Sequence, residues 1–207
     1  MSNAMRKLQA KIGVGADGEF GPNTARAIST YYELSPERGA HLLGQASHES
    51  GNFKRSKENL NYSWKGLMNT WPTRFKTEAE AREYHRQPVK IARKVYLRES
   101  LGNETEEDAE NFIGRGWLQL TGKANYRSFA SDMSVPDVMT DPSLVEDEYA
   151  FETAQWFFNK NGLFKIADEG VNESVIKKIT KKINGGYHGL DDRINKIKKI
   201  HRWLRDL

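Results

Sequence analysis

The chain has 207 residues, 37% hydrophobic, 11% aromatic and 29% charged, with 32 Lys and Arg against 28 Asp and Glu for a net charge of +4. That length allows one or two domains with an ordinary core, and the aromatic content excludes a disordered chain. There is no cysteine, which excludes a disulfide scaffold, a thiolate metal site and a cysteine nucleophile, and no run of about eighteen apolar residues that would cross a membrane as a helix.

Met1-Ser2-Asn3-Ala4 ahead of Met5 reads as a cloning scar and is set aside. No apolar leader follows Met5, so synthesis in the cytoplasm without a signal peptide is expected. Gly13, Gly15, Gly18 and Gly21 break residues 8–33 into turns, and Pro22 is placed to start a helix through Ala25, Ile28 and Tyr31. Ser35 is a predicted N-cap with Pro36 at the first helical position. The helix begun there carries Ala40, Leu43, Ala46, Ser47 and Ser50, small residues that predict close packing on a neighbour, and Gly51 stops it.

Residues 56–76 are polar and aromatic. Thr77 with Glu80 fits a capping box, Pro88 divides the next stretch into two helices, and acidic residues 103–110 predict a loop. Residues 112–122 are short and bounded by glycine, which predicts an extended segment with Trp117, Gln119 and Thr121 on one face and Leu118 and Leu120 on the other. A helix is expected from Asp141-Pro142 to about Lys160, another along Val175, Ile176, Ile179 and Ile183 up to Gly185-Gly186, and a last one through Leu190, Ile194, Ile197, Ile200 and Leu204. Residues 177–207 hold ten bases against three acids, so that end carries +7 and the remainder −3. This suits a solvated helix face before it suits an anionic partner.

Glu49 falls in the last turn of the small-residue helix. Partial burial and the negative end of the helix dipole would both favour its protonated form, which a general acid needs. Spacing alone equally allows an exposed helix-end glutamate. Glu58 comes nine residues on, past a glycine, so the chain can fold back and set it opposite Glu49; alone it also reads as a surface charge. Two carboxyl groups roughly 6.5–9.5 Å apart admit a water and give glycoside hydrolysis with inversion. Within Gly114–Thr121, Gln119 suits sugar hydroxyl and acetamido groups, Thr121 a nucleophilic water, and Trp117 the face of a sugar ring. The five histidines show no metal-ligand spacing, so no metal or other cofactor is expected, and no nucleic-acid motif accompanies the basic end.

Ser47-His48-Glu49-Ser50-Gly51, Glu58-Asn59-Leu60-Asn61-Tyr62, Gly114–Thr121 with Asn125-Tyr126, and Ile183-Asn184-Gly185-Gly186 with Asp192-Arg193 occur in that order. Together they resemble the family 19 glycoside hydrolases, the chitinase-like lysozymes, and within them the endolysins of bacteriophages and prophages. The resemblance covers the chain from about Ser35 to the end. It implies a mainly α, bilobal, lysozyme-like helical fold, with a small extended or hairpin segment lining the cleft. The implied organisation is a single bilobal catalytic domain over 5–207, with a small lobe at about 62–111. It implies inverting hydrolysis of β-1,4 bonds to N-acetylated amino sugars, here read as those between N-acetylmuramic acid and N-acetylglucosamine, with Glu49 as general acid, Glu58 as general base and Thr121 helping to hold the water. His48, Tyr62, Trp117, Gln119, Asn125 and Asn184 are the implied substrate contacts. Arg193 matches an arginine that pairs with the catalytic carboxylates. Plant members place the base farther along the chain and use disulfides, both absent here.

Leu8-Gln9 through Asp17–Thr24 resembles about a third of a peptidoglycan-binding module, here residues 5–33, which tilts the substrate from chitin towards peptidoglycan. The expected partners are peptidoglycan glycan strands, with no nucleic acid, no stable membrane insertion, a monomeric state and holin-type release to the wall or periplasm if the gene is viral. A chitinase, a lytic transglycosylase built on Glu49-Ser50-Gly51 alone, and a non-catalytic wall binder are the competing readings.

Overall fold

A computed structural model describes residues 3–205. Met1 and Ser2 of the expected scar lie outside these, as does Asp206 of the basic end. Among the described residues the chain forms α1 (Asn3–Lys11), α2 (Pro22–Tyr31), α3 (Pro36–Glu49), α4 (Trp64–Thr70), α5 (Glu78–Arg82), α6 (Pro88–Tyr96), α7 (Glu106–Asn111), α8 (Lys123–Asp132), α9 (Leu144–Asp147), α10 (Ala150–Lys160), α11 (Leu163–Ala167), α12 (Glu173–Asn184) and α13 (Leu190–Leu204). The fold is mainly α, as expected, and no described helix is long and apolar enough to cross a membrane.

Two compact units divide the chain. The first takes the residues up to Ser56, the stretch Gly116–Leu118 and those from Leu144 onward; the second takes Lys57–Arg115 and Gln119–Ser143. The second unit is therefore wider than the expected lobe of 62–111.

In the first unit the backbone N–H of Arg38 donates to the Ser35 hydroxyl at 3.2 Å, capping α3 where the sequence predicts it. The small residues of α3 let α13 approach closely: a Cβ added at Gly44 would lie 2.3 Å from Ile197 Cγ1 and 3.0 Å from its Cα. Gly44→Ala is therefore expected to overpack this contact at a cost of about 1–3 kcal/mol, read as a lower denaturant midpoint at unchanged slope. The segment 5–33 shares this core through Met5, Leu8, Ala25 and Ile28. Two residues of the expected scar, Asn3 and Ala4, are the start of α1, and Ala4 is buried. The buried Gln9 side chain ties the turn after α1 together, donating to Asp17 Oδ1 and the Glu19 carbonyl and accepting from the Gly18 N–H.

The second unit has its own core of Leu60, Leu67, Phe75, Ile91, Val95 and Ile113. Pro88 opens α6 as expected, and Thr77 caps α5 by accepting from the Glu80 N–H. Glu80 does not complete the box; its carboxylate accepts from the Lys76 N–H instead. The acidic stretch expected as a loop is α7. Thr105 and Asp108 form a full capping box there, and three acids in the first turn face the positive end of the helix dipole. The helix expected from Asp141 to Lys160 is α9 and α10, interrupted at Glu148-Tyr149; the carbonyl of Ala150, which opens α10, accepts the Trp117 N–H at 3.1 Å.

Residues 112–122 do not form a strand. Arg115 and Leu120 exchange backbone hydrogen bonds of 3.1 and 2.7 Å as an isolated antiparallel bridge, and Arg115 bridges Lys57 as well. The expected alternation fails because Trp117, Leu118 and Leu120 are all buried while Gln119 is exposed. A tight turn, with Gly116 at φ 89, replaces the two-residue period of a strand.

Candidate active-site residues

Glu49 is the last residue of α3, and the turn that leaves it has an unusual backbone. Gly51, Asn52 and Phe53 are all left-handed, at φ 62, 59 and 61. Two non-glycine residues there cost on the order of 1–3 kcal/mol each. Three hydrogen bonds hold the turn: Asn52 N–H to the Ser47 carbonyl at 2.7 Å, Phe53 N–H to Ser50 Oγ at 2.9 Å, and Ser50 Oγ–H to the Ala46 carbonyl at 2.6 Å. The buried Phe53 ring also stacks between Phe20 and Trp117, each centroid 4.6 Å away. Burial of that ring offsets the strain and fixes where α3 ends, and with it Glu49.

The Glu49 carboxylate accepts a hydrogen bond from Arg193 Nη2 on α13. Arg193 is only 1% exposed and also donates to Gln45 Oε1 at 2.6 Å and to the His188 carbonyl at 3.0 Å. Gln45 in turn donates to the Thr180 hydroxyl at 3.0 Å. Arg193 thus donates to both Gln45 and Glu49, and the relay that joins Thr180 of α12 to Glu49 runs outward from its guanidinium. His48 pairs through Nδ1 with Asp192 at 2.6 Å, as a hydrogen-bonded helix residue. Burial works against ionisation of Asp192, but Lys196 and His48 hold its carboxyl below the usual carboxylate range. The His48 ring lies over Gly189, where an added Cβ would come within 2.1 Å of it. Asn184 ends α12 exposed, and its side chain makes no hydrogen bond among the described residues.

Trp117 does not offer a sugar platform. It is fully buried, packed against Phe53 and, with ring centroids 6.4 Å apart, against Phe151. Its indole N–H has no hydrogen-bond partner among the described residues. The glycine before it turns it into the core, where a stacking ligand has no access.

In the second unit Glu58 is half-buried. Its Oε1 accepts the Gly114 N–H at 2.6 Å, its Oε2 accepts the Tyr96 O–H at 2.7 Å, and its own N–H donates to the Gly114 carbonyl at 2.9 Å. An alanine at 114 would place its Cβ 2.6 Å from Gln119 Oε1 and 3.2 Å from Glu58 Oε1, so the glycine is what lets both side chains lie against the backbone. Glu58 also borders a pocket of about 330 Å³ lined by Leu60, Val89, Ala92, Ile113 and Arg115. Burial pushes the Glu58 carboxyl above its ordinary value, and the donors Tyr96 and Gly114 and the Arg115 charge offset part of that rise. Of the other residues singled out in the sequence, Gln119 and Asn125 are exposed, and Thr121 and Tyr62 are part-buried. Asn125 donates to the Thr121 carbonyl at 2.8 Å.

Tyr96 is not legible in the sequence as a site residue; it stands 38 positions from Glu58 and belongs to no local motif. Its loss gives a test. A carboxyl whose folded value is raised favours the fold while protonated, and that stability is lost as pH rises from the ordinary 4.5 through the raised value. Tyr96→Phe removes a donor to the charged form and raises the Glu58 carboxyl further. The acid limb of the pH–rate profile is expected to move to higher pH, and an unmoved limb would remove Tyr96 from this role.

No family model matches the chain. It is 37% identical over 188 residues to a glycosyl hydrolase family 19 domain-containing protein of Haemophilus influenzae, covering 86% of each. It is 28% identical over 149 residues to an endochitinase of Arabidopsis thaliana, covering 71% of this chain and 39% of that one. Among solved structures it is similar to chitinase C of Streptomyces griseus, at 18% identity and a TM-score of 0.47, covering 98% of this chain and 67% of that chain. With the first of these relatives matched along most of both lengths, the chain belongs to glycosyl hydrolase family 19 and is a glycoside hydrolase.

Proposed function

We propose that this glycoside hydrolase cuts the β-1,4 bond between N-acetylmuramic acid and N-acetylglucosamine in peptidoglycan, by an inverting mechanism. The observation that carries the reading is that both glutamates are held in place by fixed partners. Glu49 is positioned by the buried Arg193, and Glu58 by the Tyr96 hydroxyl and the Gly114 N–H, two donors that favour the carboxylate a general base needs. In the reaction Glu49 gives its proton to the glycosidic oxygen as the bond to C1 breaks. Glu58 takes a proton from a water that Thr121 helps hold, and the hydroxyl oxygen bonds C1 from the opposite face. Gln119, Asn125 and Asn184, all exposed, are left to bind the glycan. The likeness of residues 5–33 to a peptidoglycan-binding segment supports the wall as substrate.

The biological setting we propose is a monomeric endolysin, made in the cytoplasm and released to the wall by a holin-type pore if the gene is viral. A chitinase is the second reading, favoured by the relationship to the Arabidopsis endochitinase. Mass spectrometry of digested peptidoglycan separates the readings. New reducing ends on muramic acid are expected. Reducing ends on glucosamine, anhydromuramic ends, or cleavage of chitin oligomers with walls left intact would each replace the muramidase assignment.

A further inference from the structure

A second pocket lies in the first unit, on the side of α3 where Ser47 and Asn52 sit. It encloses about 480 Å³, within the range of small-ligand sites, and no residue of the proposed reaction lines it. Phe20, from the turn that Gln9 anchors, and Trp203, near the end of α13, form its aromatic wall with ring centroids 6.0 Å apart. Lys54, Lys196 and Lys199 also line it, against one acid, Glu19. Lys196 is engaged by Asp192 at 2.5 Å. Lys54 and Lys199 pair with no carboxylate among the described residues, and Lys199 Nζ stands 5.1 Å from the Trp203 ring centre. Among its lining residues, Ser47 Oγ–H donates to Asn52 Oδ1 at 3.1 Å, and the exposed Asn52 has its amide N–H without a partner among the described residues. The left-handed turn after Glu49 therefore brings a free amide donor into one pocket with an aromatic wall and two ammonium groups that pair with no carboxylate among the described residues.

A second basic pocket in the protein differs in this respect. It lies in the second unit and encloses about 490 Å³, but Arg93 there pairs with Glu110 at 2.7 Å and Lys94 with Glu80 at 2.8 Å. Two of its four basic groups are thus neutralised by the protein, and a third, Lys90, donates to the Glu83 carbonyl at 2.9 Å.

We propose that the pocket between Phe20, Asn52 and Trp203 is a second carbohydrate site that takes an anionic amino sugar, with its ring on Trp203, its hydroxyl or acetamido oxygen on the Asn52 amide and its carboxylate or phosphate between Lys54 and Lys199. A half-open pocket of this volume with a single free amide donor suits one sugar unit. A nucleic acid would be met by bases spread along a strand-length track. The choice of an envelope sugar rests on the wall-hydrolase reading above. The role given to the site is retention of the enzyme on the charged polymer between cuts.

The experiment follows the Trp203 indole N–H by NMR, assigned through Trp203→Phe, during titration of the whole protein. The probes are N-acetylmuramic acid, N-acetylglucosamine 6-phosphate, neutral N-acetylglucosamine and a single-stranded DNA oligonucleotide. At least one anionic sugar is expected to shift the signal saturably. The Lys54→Gln/Lys199→Gln protein, altered only at exposed residues, should bind it about tenfold more weakly while cleaving neutral chitin oligomers at the unaltered rate. A response to the carboxylate probe alone assigns muramic acid as the source, and one to the phosphate probe alone a phosphorylated wall polymer. No saturable shift up to about millimolar sugar, equal binding by the double variant, or tighter binding of the oligonucleotide overturns the proposal. Saturable binding with an undigested wall would instead overturn the muramidase reading and leave the site.

Discussion

Glu49→Gln is expected to lower glycan hydrolysis by about 10²–10⁴-fold, the range that loss of a positioned proton donor gives. The amide keeps the shape and still accepts a hydrogen bond from Arg193, but it has no proton to give to a leaving oxygen. Its effect on stability is small but not zero, because the buried Arg193 loses the negative charge opposite it. Glu49 is 28% exposed, so solvent already screens part of that pair, and a loss of only a few degrees in Tm is expected, about 2–4 °C per kcal/mol for a chain of this size. Burial and the helix dipole, the two effects visible in the sequence around Glu49, imply no such cost; it comes from the buried cation. Glu58→Gln supplies the contrast. It too should abolish turnover, yet above pH 4.5 it should not lower Tm, because it removes a carboxylate whose ionisation the fold opposes. Turnover within a few-fold of normal in either variant would end the assignment of acid and base.

Arg193→Met carries the largest expected cost in stability. The arginine is buried and makes hydrogen bonds to Glu49, Gln45 and the His188 carbonyl. Methionine fills part of the volume but leaves the Gln45 oxygen and the His188 carbonyl without their donor and Glu49 without its counter-charge. Breaking such an arrangement from one side costs about 3–5 kcal/mol, which corresponds to roughly 10 °C in Tm. Turnover should fall with it, and the fall should persist at temperatures where circular dichroism shows the variant folded. Lysine at the same position restores the charge but not the forked geometry, and is expected to recover less than half of the loss. A variant that melts like the unaltered protein would show that the relay from Thr180 to Glu49 carries no energetic coupling.

Several local expectations hold in the structure for local reasons. Ser35-Pro36 starts α3 because a hydroxyl cap and a fixed φ act within one turn. The small residues of α3 imply a close neighbour, and Gly44 against Ile197 is that contact. Residues 106–111 depart from the expected loop because a capping box turns the same acids into helix-starting residues. Trp117 departs from its expected exposed face because a period of two does not apply to a segment that turns after every few residues.

The helical class, the main cap positions and, through four motifs in order, the family are all legible in the order of the residues. These depend on interactions spanning a few positions, or on residue identities that need no geometry. The pairing of Arg193 with Glu49, 144 positions away, is implied by the resemblance, but its burial and its bond to Gln45 emerge only once the chain is folded, as do Tyr96 reaching Glu58 across 38 positions and the burial of Trp117 in the core. Such contacts come from how α3 packs on α13 and how α6 stands beside the chain at Glu58. Side-chain spacing along one segment carries no record of which distant donor will meet a buried carboxylate.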